Sequence, residues 1–124
     1  MYEKFREIAM IYNKSNSFST YNGNLNGLPV AVHEFYKKFN PVDVEIDYNG
    51  LAVRFCPADR LSQLQEEYSY INAQFVFATC NGDPIFLNDD TVYSCSHDNS
   101  EKSGWEKLSD NFDDYIKKYE LYGR

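Results

Sequence analysis

The chain has 124 residues, of which 17% are aromatic, and its formal net charge is −7. This length predicts a single domain with its own core, and the high aromatic content excludes a disordered chain. The acidic balance argues against binding to nucleic acid or to an anionic membrane, and it favours basic partners. Since the sequence shows neither a transmembrane run nor a signal-peptide pattern, we expect a cytoplasmic protein.

Two amphipathic helices are predicted in the first forty residues, because apolar side chains recur there at three- and four-residue steps. The first helix should end near Asn13, and the second should begin at Pro29, a favoured first helical residue. The apolar positions of the first helix are Tyr2, Phe5, Ala9 and Tyr12. Those of the second are Leu28, Val32, Phe35, Tyr36 and Phe39. The polar segment between the helices is typical of a surface loop, with a short extended piece around residues 18–21.

A β-hairpin is predicted over residues 42–55. Its first strand alternates apolar and acidic residues, which places Val42, Val44 and Ile46 on a buried face. Its second strand, residues 51–55, alternates in the same way. The intervening Asn49-Gly50 dipeptide readily supplies the two positive φ angles of a type I′ turn, so the two strands should pair antiparallel.

The exposed face of this hairpin is expected to present an acidic row of Asp43, Glu45 and Asp47, because side chains two apart share a face of a strand. The acidity of the chain is concentrated in this region, since residues 40–95 contain nine acidic and two basic residues. From the sequence alone, a solvated strand face that discourages edge aggregation explains the row best. A docking surface for a cationic partner is the functional alternative.

A third helix is predicted over residues 59–70, followed by a second hairpin with strands at 75–80 and 83–88. Asn81-Gly82 lies between these strands and again favours a type I′ turn. Pro84 lacks an N–H group, so it should lie at the start of its strand or on a sheet edge, near the rim of the sheet.

The last third of the chain is predicted to hold one more strand and a closing helix. The strand covers residues 91–95 and follows a turn at residues 88–90. The helix is expected to begin after an N-terminal cap at Ser109 or Asp110, and Gly123 can terminate it.

The odd number of cysteines indicates free thiols rather than a disulfide framework, because Cys56, Cys80 and Cys95 each lie in an apolar or strand-like stretch. A metal site would have to combine Cys80 and Cys95 with His97. This spacing is not typical of zinc sites, and no fourth ligand is apparent. We therefore predict neither a metal nor a cofactor.

The sequence contains no familiar catalytic motif, such as a Ser-His-Asp arrangement, a phosphate-binding loop or HExxH. Asp83 could form an acid–base pair with Asp89 or Asp90, but aspartates in turns more commonly cap their own backbone. We therefore expect a protein that is not an enzyme.

Three segments together resemble the SUKH superfamily of Smi/Knr-type domains, which are widespread as bacterial immunity proteins and also occur in fungal cell-wall regulators. GLPVAVHEFYKKFN is similar to the family's helix that begins at Leu-Pro. FVFATCNGDPIFLNDDTVYSCSHD resembles its strand, Gly-Asp corner and Val-Tyr strand, and WEKLSDNFDDYIKKY resembles its closing amphipathic helix. The resemblance implies one α+β domain over residues 1–124, with a curved, mainly antiparallel sheet packed by about four helices.

What the resemblance implies for function is a protein that binds and neutralises a cognate toxin effector domain. Given the acidic middle of the chain, the expected partner is a basic toxin, such as a nuclease. The alternative is a regulatory or scaffolding domain that binds an endogenous protein. The residues expected to contact the partner are Asp43, Glu45, Asp47, Asp83, Asp89 and Asp90.

Overall fold

Seven strands of the described residues form one antiparallel sheet in which each strand pairs with the next along the chain. The computed structural model describes residues 1–99 and 101–122. The strands are β1 (Ser17–Ser19), β2 (Asn40–Tyr48), β3 (Leu51–Phe55), β4 (Phe75–Cys80), β5 (Asp83–Asn88), β6 (Thr91–Ser94) and β7 (Glu106–Ser109). The helices are α1 (Glu3–Tyr12), α2 (His33–Phe39), α3 (Leu61–Glu67) and α4 (Phe112–Tyr122). The architecture is a single α+β domain, as the sequence predicts.

The two faces of the sheet are packed differently. Helices α1, α2 and α4 cover one face and enclose the large core, in which aromatic rings meet edge to face. Phe35 lies at the centre of this core, with its ring centroid 5.2 Å from that of Phe112. Helix α3 and the turn that follows it cover part of the opposite face, over a smaller cluster that contains Val76 and Phe86. The described parts of the two hairpins therefore belong to one continuous, two-sided sheet.

The predicted turn geometry is confirmed at both Asn-Gly dipeptides. The φ angles are +54° and +79° at Asn49-Gly50, and +52° and +86° at Asn81-Gly82. A third turn with two positive φ angles occurs at Asp89-Asp90, where neither residue is glycine. Pro84 is the second residue of β5, which pairs on both sides, so it lies at the start of a central strand and not on an edge strand. The β6 partners begin at Ile85, and the missing N–H of Pro84 therefore interrupts no pair between β5 and β6.

Several predicted boundaries differ from the structure. The third helix is shorter than expected, because residues 58–60 and 69–71 form single 3₁₀ turns on either side of α3. The closing helix is capped by Asn111, whose Oδ1 accepts a hydrogen bond from the backbone N–H of Asp114 at 2.8 Å, and not by Ser109 or Asp110. Gly123, the expected terminator, lies outside the described residues. Strand β7 was not predicted.

The prediction that Val42 lies on the buried face of β2 is wrong. Ser17 pairs with Asp43 and Phe18 pairs with Pro41, so Val42 is the extra residue of a β-bulge. A bulge changes the phase of the alternation, and Val42 and Asp43 are consequently both exposed, whereas Val44 is buried. The side chain of Val42 is 48% exposed on the outer face, where it contributes an apolar group to the surface described below.

Two side-chain amides complete the sheet where strands end early. Strand β3 ends at Phe55, and Gln65 of α3 then pairs with the backbone of Val76 through both its oxygen and its nitrogen, at 2.8 and 2.7 Å. Directly before β1, the buried Asn16 likewise uses its side-chain nitrogen and oxygen to hydrogen-bond to the backbone oxygen and N–H of Glu45. Both amides satisfy strand groups that would otherwise lack partners, and they hold α3 and the end of α1 against the sheet.

Candidate partner-binding surface

The first two members of the predicted acidic row share one cation. Arg54 lies directly opposite Glu45 in the β2–β3 ladder, and its Nη2 is 2.9 Å from Oε2 of Glu45. Its Nη1 is 3.8 Å from Oδ1 of Asp43. All three side chains are at least 42% exposed, so these ion pairs contribute little to stability. They do reduce the local charge, and the row is therefore less acidic than the strand sequence alone indicates.

Asp47 differs from the other two members of the row. Its residue is partly buried, and its Oδ1 is out of contact with solvent and has no hydrogen-bond partner among the described residues. A carboxylate oxygen in that position is not available for direct contact with a partner. The strand alternation thus predicts the face of Asp47 but not its burial.

Asp83 lies at the β4–β5 turn, where its Oδ1 accepts hydrogen bonds from the backbone N–H and from Nδ1 of His97, at 2.9 and 2.8 Å. The hydrogen bond to Asp83, with the charge of Asp98, raises the pKa of His97 above its ordinary value. Protonated His97 partly offsets the charge of Asp83. No local sequence pattern marks this pair, because the two residues are fourteen positions apart.

Asp89 and Asp90 lie beyond the opposite end of β5 from Asp83, which is about 17 Å from the start of this six-residue strand. Oε1 of Gln74 accepts the backbone N–H of Asp89 at 2.9 Å, which ties this turn to the start of β4. The structure therefore brings Asp43 and Glu45 together, and it places Asp83 and the Asp89-Asp90 turn at two different ends of the sheet.

A groove runs along the outer face of the sheet, between α3 and strands β2 and β3. It consists of two adjoining depressions of about 320 and 610 Å³. The residues common to both are Val42, Asp43, Arg54, Pro57 and Arg60. The guanidinium of Arg60 makes no hydrogen bond or ion pair to the described residues, so it is available to a ligand. Sequence reasoning missed this groove, because it depends on where α3 docks.

The thiols offer little reactivity. Burial raises the pKa of Cys56 to about 12, with the guanidinium of Arg60 acting in the opposite direction. Burial also raises the pKa values of Cys80 and Cys95. Cys80 packs against the large core and Cys95 belongs to the small one, on opposite faces of the sheet, so these two thiols cannot bind one ion together with His97.

Within residues 1–99 and 101–122, no cluster of three or more His, Cys, Asp or Glu side chains is arranged to hold a metal ion. No helix in the same residues is long and apolar enough to cross a membrane.

Comparisons with known proteins add no relatives, since no family model, curated protein or solved structure matches this chain.

Proposed function

We propose that this protein is a cytoplasmic immunity protein that binds a cognate toxin effector domain and neutralises it by occupying its surface, without catalysis. The three motifs that resemble the SUKH superfamily support this role, and the α+β fold is the one that the resemblance implies. The observation that carries the proposal is the open outer face of β2 and β3. There an exposed apolar side chain, Val42, lies beside the charged ladder of Asp43, Arg54 and Glu45, at the mouth of the groove.

The charges around the groove favour a partner that is basic at the contact. Four carboxylates, on Asp43, Glu45, Asp59 and Glu67, lie in or beside the groove. They face two guanidiniums, Arg54 and Arg60, so that the surface has a net charge of −2. A basic toxin such as a nuclease fits this sign, and oppositely charged surfaces speed association. The free guanidinium of Arg60 adds one site for a carboxylate of the partner.

The direct test of this function is co-expression with the cognate toxin, which is to be sought first among the products of the neighbouring genes. We expect cells to survive when both proteins are made, to die when the toxin is made alone, and to yield a one-to-one complex on purification. Survival without a complex, or a complex formed only with an endogenous protein, would refute the proposal. The second of these results would identify a regulatory or scaffolding domain.

The binding surface is tested by two variants that change its charge in opposite directions. Asp43→Asn with Glu45→Gln removes both carboxylates, and it should slow association with the toxin in low salt while dissociation changes less. Arg54→Gln is the matched control, because it leaves the surface one charge more acidic and should accelerate association. All three side chains reach solvent and make only exposed ion pairs, so neither variant should unfold the domain.

The outcome of the charge series separates three possibilities. If both variants change the association rate in the expected directions, the outer face steers the toxin. If Arg54→Gln instead speeds dissociation, Arg54 contacts the partner directly and the same face is still the interface. If both variants associate and dissociate as the wild type does, the ladder is a solvated face and the interface lies elsewhere.

A further inference from the structure

A cleft of about 350 Å³ opens between the sheet and α4, on the face opposite the groove. Its floor consists of Val53, Cys80 and Ile85, which come from three neighbouring strands. Two tyrosines of α4, Tyr115 and Tyr119, form its wall. All five residues belong to the large core or pack against it, so the cleft is an apolar indentation at the margin of that core.

The two tyrosines leave one hydrogen-bond donor without an acceptor. Their hydroxyls are hydrogen-bonded to each other, and Tyr115 and Tyr119 are only 5% and 2% exposed, respectively. Each hydroxyl has one hydrogen, so one hydroxyl donates to the other, and the second hydrogen has no acceptor among the described residues. Burial raises the pKa of both hydroxyls, so ionisation does not remove that hydrogen. A buried donor of this kind favours a ligand that brings an acceptor.

The rim of the cleft attracts a cation. Asp83 and Glu106 lie at the rim, and Glu106 forms no ion pair with the described residues. The ammonium of Lys118 is also at the rim, where it donates a hydrogen bond to the backbone oxygen of Leu108 and keeps its positive charge, so the three charged residues that line the cleft have a net charge of −1. Asp83 bonds to His97 through Oδ1 and retains Oδ2 for a second partner. A ligand with a basic group at the mouth and an aromatic group inside therefore complements both parts of the cleft.

We propose that the cleft binds a tyrosine side chain of a protein partner that has a lysine or arginine next to it. The phenol oxygen accepts the surplus hydrogen of the Tyr115–Tyr119 pair, its ring packs against the apolar floor and wall, and the neighbouring cation pairs with Asp83 and Glu106. Tyrosine combines a rigid apolar body with a polar end, and it is enriched among the residues that dominate interfaces. The inference that the partner is a basic protein rests on the proposed function. The inference that the cleft accepts a tyrosine side chain rests only on the residues that line the cleft.

The probes are three N-acetylated dipeptide amides, Tyr-Lys, Phe-Lys and Tyr-Glu, titrated at millimolar concentration and followed by NMR chemical shifts. We expect Tyr-Lys to bind about three- to tenfold more tightly than Phe-Lys, as one net hydrogen bond allows. Tyr-Lys should also bind more tightly than Tyr-Glu, because the rim is acidic. The shifts should be concentrated at Val53, Ile85 and the two tyrosines of the wall.

The matched variant is Tyr115→Phe with Tyr119→Phe, which removes both hydroxyls and preserves both rings. Either single change would leave one hydroxyl with a free hydrogen, so only the double change removes the donor. The double variant should lose the preference for Tyr-Lys over Phe-Lys and keep the preference for Tyr-Lys over Tyr-Glu. Its melting temperature serves as the control for folding, and the wild-type titrations alone decide the proposal if the variant does not fold.

If the wild type binds Tyr-Lys and Phe-Lys with equal affinity, the inference is overturned, because water is then the only acceptor of the surplus hydrogen. Chemical-shift changes located away from the cleft would overturn it too. A preference that survives in the folded double variant would overturn it as well. These results are distinct from a failure of the proposed function. If the protein gives no protection against the toxin but keeps the dipeptide preference, the cleft proposal stands and the immunity role falls.

Discussion

Replacement of Gly82 by Val tests whether the β4–β5 turn depends on a backbone conformation that favours glycine. Gly82 has a φ of +86°, where a β-branched residue is strained. A Cβ there would meet only His97, whose Nδ1 would be 3.6 Å away, an ordinary contact. Strain at such positions costs about 1–3 kcal/mol, and the lower entropy of the unfolded Val chain offsets about 0.4–1 kcal/mol of it. We expect a net loss of about 1–2 kcal/mol in the free energy of unfolding.

Two further turn variants separate backbone strain from side-chain contacts. Gly50 has a φ of +79°, and a Cβ there would meet no atom within 4 Å, so Gly50→Val should cost as much as Gly82→Val. Asp90 has a φ of +70° without being glycine, so Asp90→Gly should leave stability unchanged or raise it by up to about 1 kcal/mol.

The assay is thermal and urea unfolding followed by circular dichroism, in which 1 kcal/mol corresponds to roughly 4 °C in the melting temperature of a domain of this size. An unchanged melting temperature for Gly82→Val would refute the argument from positive φ. A much larger loss for Gly82→Val than for Gly50→Val would show that contacts near His97, rather than backbone strain, hold the second turn.

Three other expectations concern side chains. Gln65→Ala should lower the free energy of unfolding by about 1–3 kcal/mol, because it leaves the strand backbone of Val76 unpaired. The control, Gln63→Ala on the same helix, should change this free energy by less than about 0.5 kcal/mol. Equal effects of the two substitutions would contradict the pairing argument. The imidazole of His97 should titrate by NMR above its ordinary pKa, and Asp83→Asn should lower that midpoint; an unchanged midpoint would exclude the pair. All three cysteines should react slowly with a thiol reagent in the native protein and fully after denaturation without reductant, since burial raises their pKa values; fewer than three reactive thiols would indicate a disulfide.

Local sequence signals predict the central hairpins well, because short turns determine register. A two-residue turn at Asn49-Gly50 places residue 48 opposite 51 and therefore Glu45 opposite Arg54, which is the pairing found in the structure. The Arg54–Glu45 ion pair could thus have been inferred from the sequence. A count of charges by segment contains no information on register, and it leaves the acidic row without this partner.

The bulge at Val42 could not be predicted in the same way. It depends on how Ser17 and Phe18 meet β2 across an intervening loop and helix, and the alternation from Val42 to Asp47 has no irregularity that marks it. Strand β7 was missed for a related reason, since its pairing with β6 also contains a bulge and is long-range. Nonlocal pairings of this kind are set by tertiary packing rather than by the pattern of the strand itself.

The groove and the cleft are harder still to predict, because each forms between a helix and the sheet. The four-residue step from Tyr115 to Tyr119 tells us that the two rings share a face of α4 and can bond to each other. It does not tell us that the shared face borders Val53 and Cys80, two residues that become neighbours only when β3 pairs with β4. Docking of α4 across those strands is what encloses a donor without an acceptor beside an apolar floor. The chemistry of the cleft is therefore a property of tertiary packing, and a double substitution that leaves the helix and strand patterns intact, Tyr115→Phe with Tyr119→Phe, removes the donor.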